Sequence, residues 1–391
     1  MARAGVANQT PGWPAVFLGV LLGSLPFAPL SGANESGESP PGVAAPRIHK
    51  VDHRAEAIEA LRPVFQARLK IDTPRKLAGD ATDWVSIVEL IPAARSRRSV
   101  LAGSVPLMLE TRFNPPAAAH LAASLPDVAS KDSVAPAAIA TSLAPLPSGA
   151  LVTLDVWWPL ARRGGTPLPV WTDKRRARPG GSNGFLSWDR LFRVTTGDNG
   201  NDDGALAFAG RFRNPVRNVS LSAFKTQTLT AAQARRWMER PSARKLARMV
   251  LGRELAGGDH LALVAMHLLA GDGAGGIWGT VWWGDEHSGG VALGPSDTGL
   301  SYRLDATSDA VLPREADGSP NRTFNPWLEG GLPHSGDGAG VDSNCISCHS
   351  RAASPPDDFL RVTRGLQSPR AGARRTAMLW SVAIAQQRKS D

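Results

Sequence analysis

The sequence predicts a β-rich α+β fold: an antiparallel sheet or sandwich with a few helices, followed by a C-terminal attachment loop and a terminal helix. Three observations carry this expectation. Runs of β-branched and aromatic residues recur from residue 150 onward, each bounded by Gly, Pro, Asn or Asp. Helical periodicity is confined to a few segments, the clearest over residues 230–255. A hydrophobic content of 42% across 391 residues is enough for a sizeable core, in two domains or in one large β-rich domain with insertions.

Residues 1–33 read as an export signal. Arg3 and the amino terminus supply positive charge, residues 13–25 an apolar stretch, and Ser31, Gly32 and Ala33 small side chains for cleavage. As a helix, residues 16–25 would span about 15 Å, about half a bilayer core. Pro26 and Pro29 then break it. No later segment approaches a membrane span, so no transmembrane domain is expected after cleavage, and the location expected is the periplasm.

Residues 34–114 form an N-terminal region without a defined fold of its own. A Ser/Gly/Pro-rich linker precedes a helical pattern over 51–69, interrupted by Pro63, and a strand pattern over 84–91. Residues 115–149 hold Pro115, Pro116, Pro126, Pro136, Pro145 and Pro147 with almost no aromatic residue, which predicts an Ala/Pro-rich linker or insertion.

Residues 150–391 are expected to form the β-rich domain. A strand over 151–158 ends at Pro159, a short edge segment covers 168–171, and a further strand covers 191–196. Thr230 is a suitable N-cap for the helical stretch that follows; Pro241 divides that stretch and Gly257–Gly258 ends it. Residues 260–269 and 277–283 read as the arms of a hairpin, with Trp278 and Trp282 on one face and Trp283 on the other. A last strand is expected at 302–305.

Two loop patterns carry no chemistry. Gly271, Gly273 and Gly276 have dinucleotide-fingerprint spacing, but a Trp-rich strand follows where a helix N-terminus is needed to receive the pyrophosphate. Residues 198–204 resemble a calcium loop only superficially, since Gly210 falls where the bidentate glutamate belongs.

The chemistry sits near the end, in Asn344-Cys345-Ile346-Ser347-Cys348-His349, which contains the only two cysteines of the chain. This spacing lets two thiols add across the haem vinyl groups from one short turn. The adjacent His349 is left to take the proximal position on iron. A zinc site would need a second ligand pair at matching spacing, and a thioredoxin-like pair would open a helix after a strand; neither context is present. The expected cofactor is therefore one covalent haem c with its iron: Cys345 and Cys348 bind the cofactor, and His349 binds the metal. Export supports this, because attachment occurs outside the cytoplasm.

The net charge of +9 comes mostly from arginine and suits an acidic redox partner, with compositional bias the competing explanation. No basic block is interleaved with aromatics, so nucleic acid is not an expected partner.

Asn325-Pro326-Trp327-Leu328-Glu329, the haem motif with Arg351 and Ala352, Trp278 with Val281, Trp282 and Trp283, and Met378-Leu379-Trp380-Ser381 resemble uncharacterised monohaem c-type cytochromes exported by Gram-negative bacteria. A late haem motif after sheet strands is similar in arrangement to the β-sheet cytochromes c-prime. The resemblance implies an electron-transfer protein. The sixth iron position falls to His267, to Met378, or stays open; an open site implies an enzyme or sensor acting on a small ligand such as nitric oxide, hydroxylamine or peroxide. A β-rich binding module with structural haem is the third reading. Arg322 and Arg351 are candidate propionate partners.

Overall fold

A computed structural model describes residues 53–70, 84–87, 105–124, 144–172, 184–196, 204–271, 276–293, 300–307, 323–330, 345, 349, 352–354 and 374–375. The expected signal segment, most of the polar loop at 198–204, Arg322, Cys348, Arg351 and Met378 lie outside the described residues.

Helix α1 (His53–Lys70) comes first, then strands β1 (Val85–Ser86) and β2 (Met108–Phe113) and helix α2 (Pro115–Ser124). Strands β3 (Leu151–Leu160), β4 (Gly164–Val170), β5 (Arg190–Thr196), β6 (Leu206–Phe208), β7 (Arg211–Arg213), β8 (Arg217–Ser220) and β9 (Thr226–Thr228) follow. Helices α3 (Ala231–Met238) and α4 (Pro241–Leu251) lead to β10 (His260–Ala270), β11 (Ile277–Asp285), β12 (Val291–Ala292) and β13 (Leu300–Thr307). The short strands β14 (Ala353–Ser354) and β15 (Arg374–Arg375) pair with each other.

The fold is β-rich α+β, as the sequence predicts. Its main sheet is open and antiparallel, ordered β1-β2-β3-β10-β11-β13-β12, with β9 paired to the start of β10. The central strands β3, β10 and β11 are buried on nearly every residue. That explains their continuous apolar composition: a strand covered on both faces has no solvent side to alternate with. A smaller sheet runs β4-β5-β8, with β8 parallel to β5. Pro167 and Pro169 sit on β4, which pairs only with β5; this edge placement is the one in which proline's missing donor does least harm.

Helix α1 covers one face of the main sheet. Gly279 on β11 permits the approach, since a Cβ there would lie 2.8 Å from Phe65 Cε2 and closer still to Leu61. About one turn beyond Phe65 on the same helix, Arg68 forms a buried ion pair with Asp155 of β3 at 3.4 Å.

Local sequence sets the helix ends. The Thr230 hydroxyl accepts from the Gln233 amide, and the Gln233 side chain accepts from the Thr230 amide, forming a capping box. Pro241 opens α4, where an N–H is not required. The helix stops at Gly252, in the left-handed region at φ 70°, earlier than the expected Gly257–Gly258.

Residues 115–124, expected within a linker, form α2 instead. Asn114 caps it, its Oδ1 accepting from the Ala117 amide at 3.1 Å, and Pro115 and Pro116 occupy the first turn. The same Oδ1 accepts from the Leu151 amide at 2.8 Å, which ties the helix to the start of β3.

Between β3 and β10 the chain makes a long excursion that contains β4 to α4, and returns with His260 directly opposite Leu160. Asp259 closes the neck of this excursion. Its carboxylate takes a bidentate pair from Arg253 at 2.6 and 2.7 Å, and also accepts from the Ala256 and Arg162 amides at 2.8 and 3.1 Å. Burial alone pushes the Asp259 carboxyl up, but these donors outweigh it and hold the group below the usual carboxylate range.

Candidate functional site

The site is built on the sheet face opposite α1. Directly paired residues of antiparallel strands share a face, and side chains alternate along each strand. Ala265, His267 and Leu269 of β10 therefore lie beside Trp282, Thr280 and Trp278 of β11. The Trp-rich arm shows the face assignment that its alternation predicts, and a strand, not a helix, follows Gly276.

The Asn325–Glu329 segment is fastened onto this face. Asn325, fully buried, donates from Nδ2 to Thr280 Oγ1 at 2.6 Å and to the Val281 carbonyl at 3.0 Å. Its Oδ1 accepts from the Trp327 amide at 3.0 Å, and its own amide donates to Glu329 Oε2 at 2.6 Å. One side chain thus pins the turn to β11 and fixes Trp327, while the main-chain amide of the same residue holds Glu329. Trp327 enters an aromatic cluster, with ring centroids 4.8 Å from Trp188, 5.3 Å from Trp158 and 5.7 Å from Phe185. Glu329 reaches β10, placing Oε1 3.1 Å from His267 Nε2.

His349, which closes the Cys-x-x-Cys-His pattern, meets the same face. Its ring centroid lies 4.2 Å from that of Trp278, with 46° between the planes. Cys345, one helical turn earlier in sequence, is buried, and both residues have helical backbone. The His349 carbonyl accepts from the buried Ala352 amide at 3.0 Å, which begins the turn into β14. Of the residues expected to hold the cofactor, Cys345 and His349 are described and Cys348 is not. His267, a candidate sixth ligand, stands on the strand next to Trp278, while the other candidate, Met378, lies outside the described residues.

Two nitrogens on this face are shut off from water without a hydrogen-bond acceptor: Trp278 Nε1 and His267 Nε2. Glu329 Oε1 is close enough to His267 for an electrostatic contact but lies off the axis of the ring N–H, so it does not satisfy that nitrogen. A buried polar group left unpaired costs about 1–3 kcal/mol. Of the two, Trp278 packs on His349 and His267 faces Glu329.

Among the described residues no group of three or more His, Cys, Asp or Glu side chains could hold a bare metal ion. The donor set suits a prosthetic group that brings its own equatorial ligands: a buried cysteine, a histidine one turn on, and an aromatic wall with the unpaired indole N–H of Trp278. Haem fits these residues. Sequence reasoning singled out Cys345, His349, His267 and Trp278, but it missed the part played by Asn325 and Glu329. Their role depends on contacts 45 and 62 positions away in sequence, to which the local Asn-Pro-Trp pattern gives no clue.

Among the described residues no helix is long and apolar enough to cross a membrane. No family model, curated protein or solved structure matches the chain.

Proposed function

We propose that this chain is an exported monohaem c-type cytochrome of the periplasm that acts in electron transfer. Cys345 and Cys348 anchor the haem and His349 serves as the proximal iron ligand. The observation that carries this reading is the packing of His349 on Trp278, with buried Cys345 one turn earlier, inside the only Cys-x-x-Cys-His of the sequence. When bound, haem supplies one-electron exchange between ferrous and ferric iron.

The chain's own residues do the rest. The two thiols fix the group irreversibly, so that no dissociation competes with turnover. The Trp278 ring limits rotation of the His349 imidazole, an interaction of about 0.5–1.5 kcal/mol for aromatic pairs. The apolar strands β10 and β11 keep water from the face on which His349 rests, and low polarity around an iron centre is one of the protein's levers on its potential. The excess of arginine over lysine and the net charge of +9 favour an acidic redox partner.

Haem staining after denaturing electrophoresis tests the attachment. The wild-type band retains haem and the Cys345→Ala/Cys348→Ala protein loses it; retention by the double variant overturns the assignment. An absorption spectrum tests the activity. Low-spin ferric haem that ignores carbon monoxide after reduction supports the carrier. High-spin haem with rapid carbon monoxide binding replaces it with an open-site enzyme or sensor.

A further inference from the structure

We propose that the β6–β7 hairpin docks this protein on an anionic lipid surface, with Phe212 and Val216 entering the headgroup layer and Arg211 and Arg217 pairing with lipid phosphates. No residue of the Cys345–His349 pattern takes part, so the docking is independent of the cytochrome reading above.

Among the described residues three large apolar side chains are exposed, and two of them belong here: Phe212 at 80% and Val216 at 59%, four positions apart. Scattered apolar residues are ordinary on a protein surface, but this pair is held out by construction. Phe208 and Arg211 are directly paired, so Ala209 and Gly210 alone make the turn. Both are in the left-handed region, at φ 51° and 77°, which a tight two-residue hairpin requires; among the described residues no other side-chain-bearing residue adopts it. Phe208 is buried, its ring centroid 6.1 Å from that of Trp158 and 6.2 Å from that of Phe185. Side chains alternate along a strand and directly paired residues share a face, so Phe212, paired with Ala207, stands on the face opposite Phe208. Anchoring Phe208 in the cluster thus presents Phe212 outward. The connection that follows is fixed as well. Arg213 donates to the Trp188 and Asp189 carbonyls at 3.0 and 2.8 Å, and the Val216 amide donates to the Leu191 carbonyl at 2.8 Å.

Charge around the pair selects the partner. Arg211 and Arg217 flank it and are exposed. No acidic residue occurs from 204 to 238, where Lys225, Arg235 and Arg236 add further positive charge. Asp202 and Asp203, just ahead of the hairpin, lie outside the described residues. An apolar side chain between arginines suits an anionic bilayer surface, which takes the ring among its headgroups and the guanidinium groups on its phosphates. One Phe and one Val cover far less than the roughly 800 Å² per partner of a stable protein–protein contact, which argues against a second copy of the chain. A protein partner would also need a pocket shaped to the ring, and a lipid layer needs none. Phe185, which receives Phe208, also touches Trp327, so docking through Phe212 sets the orientation of the Asn325 turn to the lipid.

Amide hydrogen exchange read by mass spectrometry tests this on the full chain, because it follows the hairpin separately from any other segment that meets lipid. The probes are vesicles of phosphatidylcholine alone, and of phosphatidylcholine and phosphatidylglycerol in equal parts. The expected result is protection of residues 208–217 by the mixed vesicles, weakened by salt, and none by phosphatidylcholine alone. The lipid concentration for half-protection rises about tenfold in Phe212→Ser and about tenfold or more in Arg211→Glu/Arg217→Glu. Val291→Ser, which removes the third exposed apolar side chain, leaves it unchanged. Phe212 is so exposed that its variant keeps the fold, and circular dichroism qualifies the arginine variant.

Hairpin amides that exchange alike with and without phosphatidylglycerol overturn the proposal, as does equal protection by phosphatidylcholine alone. So does an unchanged half-protection point in Phe212→Ser. Protection by polyglutamate where phosphatidylglycerol gives none assigns the hairpin to an acidic protein surface and removes the lipid. If the protein holds no covalent haem, the cytochrome reading falls by itself and every outcome above keeps its meaning.

Discussion

Replacing Asn325 by alanine tests whether one side chain pins the site together. The change deletes the two bonds from Nδ2 to Thr280 and Val281 and the bond from the Trp327 amide to Oδ1. Each neutral hydrogen bond contributes about 1 kcal/mol net, and groups left buried without a partner add to the loss. Asn325 is fully buried, so water does not replace the bonds without opening the turn. The expected destabilisation is about 2–4 kcal/mol. Urea unfolding followed by tryptophan fluorescence measures it. With a slope of about 3 kcal/mol per molar urea the midpoint falls by about 1 M. Asn325→Asp keeps an acceptor for Trp327 but loses the donor and sets a negative charge beside Glu329, so at neutral pH it falls at least as far. A midpoint for Asn325→Ala indistinguishable from wild type refutes the reasoning, because the turn would then be held by the burial of Trp327 alone.

Further outcomes follow from the packing and the charges. Gly279→Ala drives a methyl group into Leu61 and Phe65 and costs about 1–3 kcal/mol in the same unfolding assay, through loss of the α1 contact. Arg68→Met leaves Asp155 buried without its partner and costs about 3 kcal/mol or more, whereas adding Asp155→Leu recovers most of the loss; a double variant no better than the single refutes the ion-pair account. For Asp259 the folded carboxyl titrates below its unfolded value, so its stabilisation is complete above about pH 4 and is lost as pH falls through the lower folded value. Asp259→Asn is therefore less stable than wild type at pH 7, and the gap in unfolding midpoint closes on acidification below about pH 4; a gap that is constant with pH counts against this linkage.

Much of this architecture was legible because it is local. The apolar runs of β3, β10 and β11, the glycine-rich link between the last two, the Thr230 cap and the break at Pro241 are all decided by neighbours within a few residues. Helix α2 was not legible because Pro115 and Pro116 count among the prolines that mark residues 115–149 as an Ala/Pro-rich linker or insertion. With Asn114 in front of them, the same prolines are a good helix start, since the first turn has no use for their missing N–H groups. The site was half legible: the proposed covalent attachment would require the spacing that Cys345, Cys348 and His349 display in the sequence, and alternation puts Trp278 and His267 on definite faces. The Asn325 turn could not be read, because which side chain finds Thr280 or His267 depends on strands laid down far earlier in the chain.

The neck at Asp259 has a further consequence, in the economy of the chain. The excursion that leaves β3 and re-enters at β10 is about 100 residues long, yet its two ends are partners on adjacent strands, only about 5 Å apart. Closing a flexible loop of that size rather than one of ten residues adds only about 2 kcal/mol, because the penalty grows with the logarithm of length. Asp259, by binding the Arg162 amide from the outgoing side and Arg253 and Ala256 from the returning side, works as a seam across the opening. Closure of the main sheet is thus nearly indifferent in entropy to how much chain lies beyond the seam. Loops within that lobe could lengthen or shorten, but Phe185 and Trp188, which pack on Trp327, and β9, which pairs with β10, tie the lobe to the sheet.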